Sequence, residues 1–238
     1  MKSRALVFRR SPYSDDKMIV SLFTEQAGLV DMMVRRSASK RARVRSNVFQ
    51  PLTMLEVEWN EHSQSALKVP QQAAVVMTYP SVLGDYHKLM IGLFVLEFLC
   101  HAVRNEPASE ALFHYIAGSI EWLDTCERDF ANFHLVFLLR LTRFLGFMPS
   151  AEGYAEGAYF DLRAGAFTSA PPLHSDFLAP GDAALVPLLL RMKYANMRLF
   201  RLTGRNRSRL LEQIVQYYRL HLPGFPELQT LKVLQQLV

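Results

Sequence analysis

The sequence predicts an α+β protein, a small β-barrel followed by a mainly α-helical domain, and three observations carry that prediction. Residues 4 to 77 hold short runs of β-formers separated by turn residues. From Pro80 onward the apolar residues recur at helical spacing. Between two of the predicted strands lies a run of six positive charges, Arg35, Arg36, Lys40, Arg41, Arg43 and Arg45, with no acid among them. Half of the 238 residues are hydrophobic, which is enough to bury a core and excludes a disordered chain.

The first strand is Ala5-Leu6-Val7-Phe8, ended by the turn chemistry of Arg9 to Asp16 with its Pro, Ser and Asp. Met18 to Thr24 forms a second, Glu25-Gln26-Ala27-Gly28 turns the chain, and Leu29 to Val34 returns as a third. In the fourth, Leu55, Val57 and Trp59 alternate with Met54, Glu56 and Glu58, the period of a sheet with one buried and one wet face. Ser65 to Val69 supplies a fifth, with Ala73 to Met77 as its continuation past Pro70. Five short strands with no helix among them fit a closed barrel of the OB type, which removes exposed edges. Residues 1–79 are therefore read as one domain, a nucleic-acid-binding barrel, and 80–238 as a helical one.

Asp85 can cap a helix running to about Arg104, apolar on more than one face and so central to its domain. A second begins near Pro107 and a third spans about Phe130 to Phe147, its row Phe133, Phe137, Leu141, Phe144 and Leu145 reading as core. Residues 148–180, interrupted by Pro149, Pro171 and Pro172, form an irregular excursion with one hairpin, Ala158 to Thr168, turning at Ala164-Gly165. Helices resume over Asp182 to Tyr194, Asn196 to Leu202 and Asn206 to His221, the last capped by Asn206 or Ser208. A short segment, Leu228 to Leu237, ends the fold.

Charge is distributed unevenly. Residues 1 to 60 carry 11 Lys and Arg against 6 acids, residues 61 to 190 carry 7 against 14, and residues 191 to 238 carry 9 against 2. Both basic ends suit anionic partners. The loop from Arg35 to Arg45 cannot be buried unpaired and is built to meet a polyanion, with Lys2, Arg9 and Arg10 as weaker contacts on the same domain. The second basic region, Arg191, Lys193, Arg198, Arg201, Arg205, Arg207 and Arg209, is interleaved with Tyr194, Met197, Leu199 and Phe200. Apolar pockets rimmed by Arg can hold an acidic, hydrophobic peptide terminus, and the same side chains can grip phosphates as a second nucleic-acid contact.

Other chemistries find no residues to run on. The seven histidines are scattered singly without HxH or HExxH spacing, no metal or other cofactor is expected, and no phosphate-cradling loop or GxSxG elbow is present. Asp15-Asp16 reads as a turn. Cys100 and Cys126 form no CxxC and are expected as reduced, buried thiols, which with the absence of an export signal points to the cytoplasm. The longest apolar run, Leu89 to Leu96, is far short of the roughly 20 residues that cross a bilayer.

The stretches Ala5 to Tyr13, Ile19 to Glu25 with Gly28, the basic loop, and Phe49 to Glu58 resemble, in order and spacing, the N-terminal barrel of the RecO family of recombination mediators. Phe144-Leu145-Gly146-Phe147-Met148-Pro149 and Tyr218-Arg219-Leu220-His221-Leu222-Pro223 resemble landmarks of its helical domain. The resemblance implies a non-enzymatic DNA repair factor that binds single- and double-stranded DNA, anneals complementary strands and works with RecR. It implies further that the protein binds the acidic C-terminal tail of single-strand binding protein and helps RecA load onto coated DNA, in association with the nucleoid. Many members carry four zinc-binding cysteines just after the Phe-Pro landmark. Residues 150 to 180 hold none here, so zinc is not expected and packing must hold that excursion. An RNA-binding module, or a protein-only adaptor using the helical domain, are the alternatives.

Overall fold

The computed structural model describes residues 1–36 and 44–237. Five antiparallel strands, β1 (Lys2–Pro12), β2 (Lys17–Thr24), β3 (Gly28–Arg35), β4 (Thr53–Trp59) and β5 (Pro70–Thr78), form a sheet in the order β3-β2-β1-β4-β5. It curls around Val7, Val20, Met32, Leu55, Val57 and Trp59. Among the described residues its two edges are linked by the backbone of Lys68, whose amide donates to the Asp31 carbonyl at 3.0 Å and whose carbonyl accepts from the Met33 amide at 2.8 Å. The sheet is a partly open OB-type fold where the sequence predicted a closed barrel. Pro70, two residues further on, has no N–H with which to extend that ladder.

The fifth strand starts at Pro70, and Ser65 to Val69 lies ahead of it instead of forming it. Proline is tolerated as the first residue of a strand because no ladder bond precedes it. In β1 the register with β2 shifts between Val7 and Arg9, leaving Phe8 as an extra residue. Phe8 stacks on Phe23 at 5.4 Å, and Phe23 on Phe113 at 6.1 Å, so the outer face of the sheet is partly apolar too. For the same reason Met54, expected on the wet face, is buried opposite Leu6.

Three helices follow in the same compact unit, which comprises Met1–Thr125 and Leu228–Leu234: α1 (Pro80–Gly84), α2 (Tyr86–Ala102) and α3 (Glu110–Thr125). Asp85 caps α2 as expected, accepting the Lys88 amide at 3.1 Å. Gly92 lets α2 approach the barrel closely; a Cβ there would lie 3.1 Å from Leu52 Cδ1. Ser109 caps α3 through the Leu112 amide, so Pro107 precedes that helix instead of opening it. Glu97 on α2 accepts the amides of Gln229 and Thr230 at 2.9 and 2.8 Å and the Thr230 hydroxyl, which fixes the first turn of the terminal helix α8 (Gln229–Leu237). Burial alone would raise the Glu97 pKa, but these hydrogen bonds together hold it below the ordinary value.

The second unit holds Cys126–Glu227. Its elements are α4 (Phe133–Phe144), β6 (Tyr159–Asp161), β7 (Ala166–Thr168), β8 (Phe177–Leu178), α5 (Pro180–Ala183), α6 (Val186–Arg191) and α7 (Gly204–His221). The hairpin forms at the expected residues and gains β8 as a third strand, in the order β7-β6-β8. Phe160, Leu162 and Leu178 bury against Val186 and Tyr217, and Arg163 pairs with Asp176 at 2.6 Å. The single helix expected over Asp182 to Tyr194 is two, because Pro187 restarts the chain at α6. Thr203 caps α7 where Asn206 or Ser208 was expected. Phe133, Phe137 and Leu141 are buried, but Phe144, expected with them, is exposed. Both cysteines are free thiols; Cys100 is buried and Cys126 only half-buried.

Candidate nucleic-acid interface

The basic segment leaves the barrel from one rim. Lys17, the first residue of β2, stands opposite Arg35, the last of β3. The turn joining β1 to β2 lies against the same rim: the amides of Tyr13 and Ser14 donate to the Lys17 carbonyl at 3.1 Å, and the Arg36 amide donates to the Asp16 carbonyl at 2.7 Å. Lys17 and Arg35 line an open groove with Met33, Val34, Val44, Val69 and Pro70, where the incomplete closure leaves space. Arg35, Arg36 and Arg45 are exposed, and Arg45 precedes a short 3-10 turn, Ser46–Val48. Lys40, Arg41 and Arg43 lie outside the described residues.

The three weaker candidates are placed apart. Lys2 sits at the opposite end of β1, roughly 25 Å from Arg10 at the usual strand rise. It pairs with Glu56 at 2.7 Å, and that hydrogen bond raises its pKa. Arg9 donates to Ser11 Oγ at 3.1 Å, and its charge acts on the Cys100 thiol of α2, which burial pushes up to about 11. Arg10 is exposed opposite Val20, nearest the Lys17 rim of the three. Lys17 itself escapes sequence reading because a lysine at a strand boundary carries no pattern; the pairing register supplies the signal.

In the second basic region Arg191, Lys193, Arg198, Arg201, Arg205 and Arg209 are exposed. Arg209 pairs with Asp182. Arg207 is half-buried, and burial lowers its pKa. An apolar cleft opens beside the Arg209 pair, lined by Phe160, Leu178, Val186, Leu189, Leu210 and Ile214 with Asp182 on its rim. Of the histidines, His221 stacks on Phe147 at 5.0 Å, His174 faces Asp161 at 3.3 Å, and burial pushes His134 down to about 3. The carboxylates of the Asp15-Asp16 turn are exposed, and Asp16 accepts the Ser14 hydroxyl at 2.9 Å. Among the described residues no group of three or more His, Cys, Asp or Glu could hold a metal ion, and no helix is long and apolar enough to cross a membrane.

The family described as "Recombination protein O N terminal" matches residues 1–79, and "Recombination protein O C terminal" matches residues 83–229. The chain is 40% identical over 236 residues to the DNA repair protein RecO of Phocaeicola vulgatus, covering 99% of this chain and 98% of that one. It is 42% identical over 237 residues to the DNA repair protein RecO of Bacteroides fragilis and 31% identical over 238 residues to that of Flavobacterium psychrophilum, each with 99% of this chain and 98% of the relative covered. Matched in both halves, in order and over nearly its full length, the chain belongs to the RecO family of DNA repair and recombination proteins.

Proposed function

We propose that the protein is a non-enzymatic recombination mediator whose barrel, residues 1–79, binds single- and double-stranded DNA through phosphate contacts and promotes annealing of complementary strands. The observation that carries this reading is the convergence of Lys17, Arg35 and Arg36 on the rim of the open groove, from which the basic segment continues through Lys40, Arg41, Arg43 and Arg45. Cations on a rim hold strands by their backbones, which leaves base edges free to pair. Family membership supports the remaining parts of the role. With RecR, the protein assists RecA in loading onto DNA coated by single-strand binding protein. The exposed Arg198, Arg201 and Arg205 of the second unit receive the acidic tail of that protein.

The test is binding to labelled single-stranded DNA across a salt series, with a variant carrying Arg41, Arg43 and Arg45 changed to Glu. Parent affinity is expected to fall steeply with salt, by roughly 0.7 in logarithmic slope per phosphate neutralised, and the variant to lose most of that slope. Equal slopes in the two proteins would move the DNA site off the basic segment.

A further inference from the structure

Tyr13 is 59% exposed on the turn whose backbone is bonded to Lys17 at the barrel's basic rim. Among the described residues its side chain packs against no other ring and its hydroxyl makes no hydrogen bond. The backbone beneath it is fixed: the Tyr13 and Ser14 amides converge on the Lys17 carbonyl, and the Ser14 hydroxyl donates to Asp16 Oδ1 at 2.9 Å. An exposed aromatic side chain on an ordered turn costs little to hold in place and offers aromatic surface to a ligand.

The charges around the ring divide in a useful way. Lys17, Arg35 and Arg36 follow it on the paired ends of β2 and β3, whereas Asp15 and Asp16 sit on the turn itself. Phosphate is attracted to the strand ends and repelled from the turn. A base, uncharged and flat, is the part of a nucleotide that the turn admits.

We propose that Tyr13 is a stacking platform for an unpaired base of a single strand whose flanking phosphates are held by Lys17 and Arg35. The assignment rests on the reading of the barrel as the DNA-binding part. It adds a selectivity that phosphate contacts alone lack. Stacking on an aromatic ring tolerates any base, but the bases of a duplex are already stacked on their neighbours and present no free face.

The experiment compares the full chain with its Tyr13→Ala, Tyr13→Trp and Lys17→Gln variants on three labelled ligands of equal length: an oligothymidine, an abasic strand with the same phosphates, and a duplex. Tyr13→Ala is expected to weaken oligothymidine binding about tenfold, with the salt slope unchanged and no effect on the abasic strand or the duplex. Tyr13→Trp retains affinity. Lys17→Gln weakens all three and lowers the single-strand slope by roughly 0.7. Unchanged oligothymidine affinity in Tyr13→Ala, or an equal loss on all three ligands, would overturn the stacking role while leaving phosphate binding intact. Salt-insensitive or absent binding by the parent on every ligand would overturn the DNA-binding reading, and this role with it.

Discussion

Arg207 donates from Nε to the side-chain oxygen of Asn132 at 2.9 Å, and each residue is held from its other side as well. Arg207 Nη2 donates to the Leu202 carbonyl at 3.1 Å, and Asn132 Nδ2 donates to the carbonyls of Met197 and Phe200 at 3.2 and 2.8 Å. The pair thus ties the chain from Met197 to Leu202 to the start of α4 and α7. A cation that by sequence alone belongs with Arg198, Arg201 and Arg205 is part of the framework that presents them.

Removing Asn132 or Arg207 should therefore lower stability, by about 2 kcal/mol, because buried partners are left without hydrogen bonds. Arg198→Glu with Arg201→Glu should leave stability within about 0.5 kcal/mol and weaken binding of an acidic, apolar-ended peptide. Urea unfolding and fluorescence anisotropy with the labelled peptide separate the two effects. Intact peptide binding in the double Glu variant would remove those arginines from the tail site.

Gly165 makes the tight turn of the second unit's hairpin with φ +64, and a Cβ there would lie 2.5 Å from the Tyr217 hydroxyl. That hydroxyl donates to the Phe147 carbonyl at 2.8 Å, so it cannot retreat freely. Gly165→Ala should cost about 1–3 kcal/mol from backbone strain and the clash. Tyr217→Phe alone should cost about 1 kcal/mol. In the double variant the losses should sum to less than the two singles, because the clash is with the atom removed; strict additivity in chemical denaturation would show that only the turn conformation matters.

His134 is fully buried in α4, and burial first, then the nearby Arg207 charge, pushes it from the ordinary 6.5 down to about 3. The folded chain keeps this ring neutral while the unfolded chain protonates it below pH 6.5. The unfolded state is then the better proton binder, so stability is lost as pH falls from 6.5 toward 3. The loss attributable to this group between pH 7 and pH 5 should be about 2 kcal/mol. Unfolding midpoints measured over that range should flatten in His134→Gln; an unchanged pH profile would show that His134 is not responsible.

The period-two pattern of Leu55, Val57 and Trp59, the Asp85 cap and the Ala164-Gly165 turn were legible because each is a local rule: strand alternation, a side chain within reach of free amides, and a residue that tolerates positive φ. The missed features depend on what lies across the fold. Whether Met54 is wet depends on Phe8, Phe23 and Phe113 making the outer face apolar, and whether Phe144 is core depends on what covers the end of α4.

The site divides in the same way. Composition alone placed a dense cationic segment between two strands, since six like charges in eleven residues have no low-energy place except a solvated surface awaiting an anion. The sequence also determined the family, the succession of barrel and helices, and the absence of zinc-binding cysteines from the excursion. Only the tertiary structure decided which cations share a face. Register put Lys17 opposite Arg35 and brought Tyr13 to the same rim, while strand length carried Lys2 to the far end of β1 and burial drew Arg207 into the framework. Charge is a property of each residue, but a binding surface depends on distances between residues, and those are set by pairing and packing across the fold.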